Sequence, residues 1–299
     1  MTVTVTFNPA IDYVLKLDEM KPGLVNRALG EQIFFGGKGI NVSAVLKELG
    51  VSSKALGFTA GFTGEAIENG VRAMGIESDF VRLESGNSRI NVKIKASEET
   101  EINGQGPDID SGALKKLFEK LDALKEGDTL ILAGSIPASL PADIYERILE
   151  RLSGKNIKAV VDATGSLLVN VLKFRPFLIK PNDHELEEIF KTNISGNDEI
   201  ELYAKKLQQM GAKNVLVSMA EKGALLVDEN GVTHSCGVCK GVVKNSVGAG
   251  DSMVAGFVAG SSNGDYEYAL KLATACGGAT AFSEGLADRA LIDELFSQL

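Results

Sequence analysis

The second half of the chain alternates amphipathic stretches with short apolar runs. The apolar runs carry hydrophobic residues at nearly every position, which predicts strands that are covered on both faces. The amphipathic stretches have apolar residues at helical spacing. The predicted helix–strand pairs are Ala113–Leu124 with Thr129–Ala133, Pro141–Leu152 with Lys158–Asp162, Leu167–Val171 with Phe177–Lys180, and Glu199–Met210 with Asn214–Ser218. This alternation predicts a doubly wound α/β fold with a mostly parallel sheet covered by helices.

A different pattern occurs in the first half. Arg89–Lys95 alternates apolar and polar residues, as a strand with one solvated face does, and Tyr13–Leu17 and Ala28–Phe35 resemble it. These segments predict a small β-sheet that stands apart from the main one, built from stretches near residues 13–35 and 88–105. We therefore expect a single α/β domain over residues 1–299 with a small β extension.

The remaining elements follow the same periodicities. We expect Gly57–Gly64 (GFTAGFTG) to be a tightly packed loop, with lining of the ligand pocket as the alternative. The predicted strands here are Thr2–Phe7 and Lys54–Phe58, and the predicted helices are Gly39–Leu49, Glu65–Met74, Ser252–Ala259, Tyr266–Ala281 and Ala290–Gln298.

Composition narrows the possible partners. The chain has 299 residues, a formal net charge of -9 and 24% charged residues, with no dense run of Lys or Arg, so we expect neither nucleic acid nor a membrane surface as a partner. The first residues alternate like a strand and lack the features of a secretory signal, and no apolar run is long enough to span a bilayer. These features predict a cytoplasmic protein.

The segment Asn245–Phe257 (NSVGAGDSMVAGF) carries the clearest candidate chemistry. Gly248, Ala249 and Gly250 are small enough for backbone N–H groups to approach an anion, and a helix start adds unpaired N–H groups and the positive end of its dipole. Asp251 beside them is a candidate general base, and the dipole favours its carboxylate form at neutral pH. The alternative interpretation is a helix cap after a glycine-rich loop.

A second glycine-rich segment, Phe34–Gly50, places Gly36, Gly37 and Gly39 around Lys38 just before a predicted helix. It lacks the pattern of a Walker A loop, and the chain has no dinucleotide-binding fingerprint, which argues against a dehydrogenase. Three glycines around one lysine at a helix start favour an anion site over a flexible turn.

Two further segments follow predicted strands. In Phe177–Phe190, Asn182 and Glu185 lie three positions apart, so they share one helix face and suit a hydrated Mg²⁺ ion. A helix cap followed by an acidic solvated face is the interpretation that this segment alone favours. In Asn8–Asp12, the carboxylate of Asp12 is a candidate acceptor for sugar hydroxyls, or simply a turn residue.

The three cysteines do not indicate a disulfide framework. Cys236 and Cys239 form a CxxC pair near His234, but a closed zinc site needs a fourth ligand, which Cys276 or His184 would have to supply from far along the chain. We expect these residues to have no metal or redox role.

Taken together and in this order, the two glycine-rich segments resemble the two signature segments of the ribokinase-like (PfkB) carbohydrate kinases, and the resemblance runs from about Thr4 to Leu286. It implies ATP and Mg²⁺ as cofactors and a sugar phosphate as acceptor. TFNPAID at the start, RINVKIK followed by TEINGQGP, and ATAFSEGLAD are most similar to members that phosphorylate fructose 1-phosphate. Tagatose 6-phosphate is the alternative acceptor, and a silent sugar-phosphate sensor is the alternative outside enzymes.

The resemblance also implies roles for individual residues. Asp251 would be the catalytic base beside an anion hole of Gly248, Ala249 and Gly250. Asn182 and Glu185 would influence Mg²⁺ indirectly, and the small sheet would be a lid that also offers a homodimer contact. The implied sugar-phosphate ligands are Asp12, Gly37, Lys38, Asn41, Arg89 and Asn103, and the implied ATP contacts are Ser218, Met219, Ala220, Glu221, Lys222, Gly223, Gly250 and Asp251.

Overall fold

A computed structural model describes residues 1–299 and shows two separate sheets. The main sheet has the strand order β14-β13-β12-β11-β10-β9-β1-β4-β5, and β6 also pairs with β4. All its pairs are parallel except β12 with β13 and β13 with β14. Its strands are β1 Thr2–Thr6, β4 Ser53–Ala60, β5 Glu77–Ser78, β6 Val81–Leu83, β9 Thr129–Ala133, β10 Lys158–Asp162, β11 Leu178–Ile179, β12 Asn214–Ser218, β13 Ala224–Val227 and β14 Thr233–Cys236.

Helices cover both faces of the main sheet. The two largest apolar clusters, of 36 and 28 buried residues, draw alternate residues from the same strands: Val161 belongs to one cluster and Val160 to the other. Successive side chains of a strand point to opposite faces, so the wholly apolar strands are explained by one core on each side. The helices are α1 Lys38–Glu48, α2 Gly61–Ala73, α3 Ser111–Leu121, α4 Ile144–Arg151, α5 Gly165–Val171, α6 Asp183–Phe190, α7 Asn197–Gln209, α8 Ala249–Gly260, α9 Tyr266–Ala281 and α10 Arg289–Phe296.

The small sheet has four strands in the order β3-β2-β7-β8. Residues paired directly across it share a face, so Asp12 lies beside Asn91, and Asn91 lies beside Asn103. The strands are β2 Ala10–Lys16, β3 Gly30–Gly36, β7 Arg89–Lys95 and β8 Glu99–Asn103. The predicted separate sheet is therefore confirmed, with β8 as a strand that the sequence pattern did not single out.

The expectation of a loop at Gly57–Gly64 is wrong. Residues up to Ala60 continue β4, and α2 begins at Gly61 without an irregular connection. Gly57 permits this close packing, because its φ is +151° and a Cβ there would lie 1.9 Å from the carbonyl oxygen of Thr6 on β1. The glycines that suggested a loop instead allow two parallel strands to approach. The other predicted boundaries are exact or shift by one to four residues, the largest shift being at the start of α2.

No helix of the protein is both long and apolar enough to cross a bilayer.

Candidate functional site

Polar side chains collect where the parallel strands of the main sheet end. In spatial order from β12 to β1, the residues at or just after the carboxyl ends are Ser218, Lys180, Asp162, Ser135 and Asn8. In an open parallel sheet this edge is where ligands bind, because the following loops and helix starts open onto it. Two strands of the small sheet, β2 and β3, directly follow β1, and the other two, β7 and β8, follow β6, so the small sheet borders the same edge.

The loop at Gly37 packs against the carboxyl end of β1. Gly37 has a φ of +131°, and a Cβ there would lie 2.5 Å from Cγ2 of Thr6. The hydroxyl of Thr6 accepts a hydrogen bond of 3.1 Å from the N–H of Ile40, which fixes the start of α1. Glycine is therefore required for the loop to sit this deep, and the packing places Lys38 at the edge of the sheet.

The start of α8 offers unpaired backbone donors. Gly248 is the N-cap with a φ of +83°, a left-handed conformation that glycine adopts without strain. The N–H groups of Gly248, Gly250 and Asp251 make no hydrogen bond within the chain, whereas that of Ala249 donates to the carbonyl of Ser246 at 3.2 Å. The N–H groups of Gly248, Gly250 and Asp251 are therefore available to an anion at the start of α8, whereas that of Ala249 is already used within the turn.

Asp251 is 5% exposed, and its Oδ2 accepts a hydrogen bond of 2.8 Å from Nδ2 of Asn41 on α1. This bond joins the two glycine-rich segments, which are 210 residues apart in sequence. Burial first, and the charge of Asp162 second, raise the pKa of Asp251 to about 7, although Asn41, Lys38 and Lys180 favour its charged form. We expected Asp251 to remain a carboxylate at neutral pH. A pKa near 7 means that it is only partly ionised there, because burial and Asp162 outweigh Asn41 and the two lysines.

Two residues of the site, Asp162 and Lys180, were missed by sequence reasoning. Asp162 ends β10, is 3% exposed, and pairs with Lys38 at 3.2 Å and with Lys180 at 3.4 Å. Burial opposes its charge, but Lys180 and Lys38 lower the pKa of Asp162 overall. Lys180 also borders the cradle, since a Cβ on Gly250 would lie 3.1 Å from its Nζ. The sequence feature that could have identified both residues is a charged residue at the end of a predicted apolar strand.

Lys38 and Arg89 line one cavity of about 300 Å³ together with Asn8, Gly37, Ser135 and Asp162. The Nε of Arg89 donates to the carbonyl of Asn8 at 3.1 Å, which leaves the terminal nitrogens of its guanidinium for a ligand. Burial lowers the pKa of Arg89 and Asp12 opposes that shift. The lining holds two cations, three hydroxyl residues, a glycine loop and one carboxylate, Asp162, which is paired with lysines. Such a set around a cavity of this size suits a phosphate group.

Asp12 and Asn103 lie on the face of the small sheet that carries Asn91 and Lys93. Oδ1 of Asp12 accepts a hydrogen bond of 2.8 Å from Nδ2 of Asn91, and Oδ2 lies 3.5 Å from Nζ of Lys93. Asp12 also lines a larger cavity of about 430 Å³ that reaches Asn41. On this face Asn91 and Lys93 are buried and Asp12 is half-buried, whereas Asn103 is exposed. These polar groups suit sugar hydroxyls.

Asn182 and Glu185 form a capping box at the start of α6. The N–H of Glu185 donates to Oδ1 of Asn182 at 2.7 Å, and the N–H of Asn182 donates to Oε2 of Glu185 at 2.8 Å. The helix-cap interpretation is confirmed. Glu185 retains a second oxygen, and its charge acts on Lys38. The chain contains no group of three His, Cys, Asp or Glu residues placed to hold a metal ion directly.

The segment Ser218–Gly223 follows β12 as a tight turn. Ser218 forms a bridge with Asn182, so the turn adjoins the α6 cap. Met219 is buried, while Ala220, Glu221 and Lys222 are exposed and Gly223 closes the turn with a φ of +89°. The segment lies at the carboxyl edge of the sheet, on the opposite side of Lys180 from the cavity that holds Arg89.

The cysteines are not part of the site. Cys236, Cys239 and Cys276 are free thiols buried in the core cluster around α8 and α9. Burial raises the pKa of Cys239 to about 11 and that of Cys276 to about 12, so neither is a ready nucleophile or metal ligand.

Comparison with known proteins identifies the family of this site. The sequence profile described as "pfkB family carbohydrate kinase" matches residues 4–292. The chain is similar to the 1-phosphofructokinase of Bacillus subtilis (strain 168), with 46% identity over 100% of this chain and 98% of the relative. It is also similar to the D-tagatose-1-phosphate kinase of Bacillus licheniformis, with 38% identity over 100% and 98% of the two chains.

The fold is shared with a solved structure. The phosphofructokinase-2 of Escherichia coli, solved in complex with substrates and products, superimposes with a TM-score of 0.94 over 99% of this chain and 98% of that one. At 24% identity this match shows the fold alone.

The Asp251–Asn41 hydrogen bond generates a testable prediction. We expect the carboxyl group of Asp251 to titrate with a midpoint near 7 in a carbon-detected NMR titration of the labelled protein. The variant Asn41→Leu should move the midpoint higher, because the lost N–H donor stabilised the charged form.

The matched control is Asn69→Leu, which removes an exposed asparagine on α2 far from Asp251 in sequence and should leave the midpoint unchanged. A midpoint near the ordinary carboxyl value of about 4 would contradict the buried, two-carboxylate description of the site.

Proposed function

Because the chain belongs to the pfkB family of carbohydrate kinases, we propose that it transfers the γ-phosphoryl group of ATP to O6 of fructose 1-phosphate, giving fructose 1,6-bisphosphate and ADP. The observation that carries the proposal is the position of Asp251. It lies beside the unpaired amides of α8 and is bonded through Asn41 to the glycine-rich segment that borders the Lys38–Arg89 cavity.

In the proposed reaction Asp251 accepts the proton of the O6 hydroxyl as the O6–Pγ bond forms. The bond from Pγ to the bridging oxygen breaks, and ADP leaves with that electron pair. The N–H groups of Gly248 and Gly250 stabilise the charge on the transferring oxygens, and Lys180 and Lys38 add positive charge beside them. A base with a pKa near 7 suits this role, since it combines a large ionised fraction with adequate basicity.

The acceptor would lie between the two cavities. We place its 1-phosphate in the cavity of Lys38 and Arg89, and its ring hydroxyls against Asp12 and Asn41, which line the larger cavity. Asn103, on the same face of the small sheet as Asp12, would contact the sugar from the outer side. Gly37 lets the loop backbone approach the same ligand. The small sheet would act as a lid over it, which excludes water that could otherwise accept the phosphoryl group.

ATP would lie along Ser218–Gly223, with its γ-phosphate at Gly250 and Asp251. The chemistry of Asn182 and Glu185 fits Mg²⁺ bound through its waters rather than directly, because both side chains already cap α6 and only one Glu185 oxygen remains. The ion would neutralise charge on the ATP phosphates.

The alternative acceptor is now tagatose 1-phosphate. Sequence reasoning suggested tagatose 6-phosphate, but the tagatose kinases to which the chain is similar are named for the 1-phosphate. Fructose 1-phosphate remains first because it corresponds to the name of the 46% identical relative. A silent sensor is disfavoured, since it would have no need of a buried base beside free amides.

We also propose a homodimer formed through the small sheet. The face opposite Asp12 exposes Ile33, Ile90 and Ile102, at 56%, 41% and 56% of their surface. Apolar side chains grouped on one exposed sheet face are typical of an interface between subunits.

The variant Asp251→Asn tests the assignment of the base. We expect turnover of fructose 1-phosphate, followed by ADP release, to fall at least about a hundredfold while ATP affinity is largely kept. Asp265→Asn, which replaces an exposed N-cap of α9 with another good cap, is the control. Near-normal turnover in Asp251→Asn would refute the role of Asp251 as the base. If the wild-type protein turned over no hexose phosphate, the proposed kinase activity itself would be refuted.

The variant Arg89→Met tests the location of the phosphate. We expect KM for fructose 1-phosphate to rise about tenfold to a hundredfold, because a charged hydrogen bond to phosphate is worth about 1.5–3 kcal/mol. Arg72→Met on the exposed side of α2 is the control. An equal loss with unphosphorylated fructose would show that Arg89 does not bind the phosphate.

The variant Ile90→Asp tests the proposed dimer. A charge in an apolar interface should convert the dimer to a monomer, which light scattering coupled to size exclusion would detect. The control Leu202→Asp, at an exposed leucine on α7, should leave the dimer intact. A wild-type monomer, or a dimer unaffected by Ile90→Asp, would exclude this interface.

A further inference from the structure

Asn91 contains the one buried side-chain nitrogen or oxygen atom in the protein that has no hydrogen-bond partner. Asn91 lies on β7 and is 7% exposed. Its Nδ2 donates to Oδ1 of Asp12 at 2.8 Å, which fixes the orientation of the amide, and its Oδ1 is left without a donor. A buried polar atom left unpaired costs about 1–3 kcal/mol, so a donor from outside the chain would stabilise this arrangement.

The surroundings of Asn91 restrict what that donor is. Asp12 and Asn103 lie directly beside it on the neighbouring strands, and Lys93 follows it on the same face. Lys93 lies between Asp12 at 3.5 Å and Glu101 at 3.6 Å, so its ammonium is already shared between two carboxylates. A phosphate offers only acceptors at neutral pH and cannot satisfy an amide oxygen. A hydroxyl group can.

We propose that Oδ1 of Asn91 accepts a hydrogen bond from a ring hydroxyl of the acceptor sugar, distinct from the hydroxyl that Asp12 binds. Asn91 then determines specificity among sugar phosphates, and the substrate supplies the missing hydrogen bond of the small sheet. This inference rests on the proposed sugar-phosphate kinase function.

Substrate analogues separate direct contact from an effect through Asp12. Wild type, Asn91→Ala and Asp12→Ala would be assayed with fructose 1-phosphate and with three analogues that lack the hydroxyl at C2, C3 or C4. We expect Asn91→Ala to lower kcat/KM for fructose 1-phosphate by at least about tenfold, because a site built to bind a hydroxyl loses that contact. With one of the three analogues, Asn91→Ala and wild type should have the same kcat/KM. Asp12→Ala should match wild type on a different analogue.

Two results would overturn the proposal. A penalty that persists on all three analogues shows that Asn91 binds no ring hydroxyl, and penalties that vanish on the same analogue for both variants show that Asn91 only holds Asp12 in place. Asn91→Ser, which keeps a small polar side chain on the strand, should show the same pattern across the analogues as Asn91→Ala. Together with the melting temperatures of all variants, it shows whether a folding defect causes the penalty. Wild-type turnover of fructose 1-phosphate reports on the proposed function separately, since the Asn91 result is a ratio between variants on each analogue.

Discussion

The site depends on two carboxylates buried near one another at the carboxyl edge of the main sheet. Asp162 and Asp251 are both at most 5% exposed, and the charge of one raises the pKa of the other. Two buried charges of the same sign are unstable without compensation. Lys38 and Lys180 supply compensating positive charge, but both form ion pairs with Asp162 only. Asp251 instead accepts a hydrogen bond from the neutral amide of Asn41.

This unequal division gives the two carboxylates different chemistry. Asp162 is held in its charged form by two cations and serves to position them. Asp251 has no direct cation, and its pKa of about 7 makes it able to take up a proton and release it again near neutral pH. The free amides at the start of α8 adjoin Asp251, and the charge of Lys38, which lines the cavity with Arg89, acts on it. An anion bound at either place would therefore change the electrostatic field at Asp251.

Much of the fold and part of the site could be predicted from the sequence, for physical reasons. The bounds of strands such as β9, β10 and β12 were predicted correctly, because a short run that is apolar at nearly every position is typical of a strand covered by helices on both faces. The glycines around Lys38 and before Asp251 pointed to the site because they mark backbone that must approach closely. Asp162 and Lys180 were overlooked because each ends an apolar strand, where the pattern directs attention to packing. The ionisation of Asp251 could not be predicted, since it depends on burial and on a neighbour 89 residues away in sequence.

A crystal structure with fructose 1-phosphate and a non-hydrolysable ATP analogue tests the central arrangement most directly. We predict a carboxylate oxygen of Asp251 within hydrogen-bond distance of O6 of the sugar, the γ-phosphate on the amides of Gly248 and Gly250, and the 1-phosphate between Lys38 and Arg89. A sugar bound with its phosphate against Asp251, or with O6 remote from that carboxylate, would contradict it.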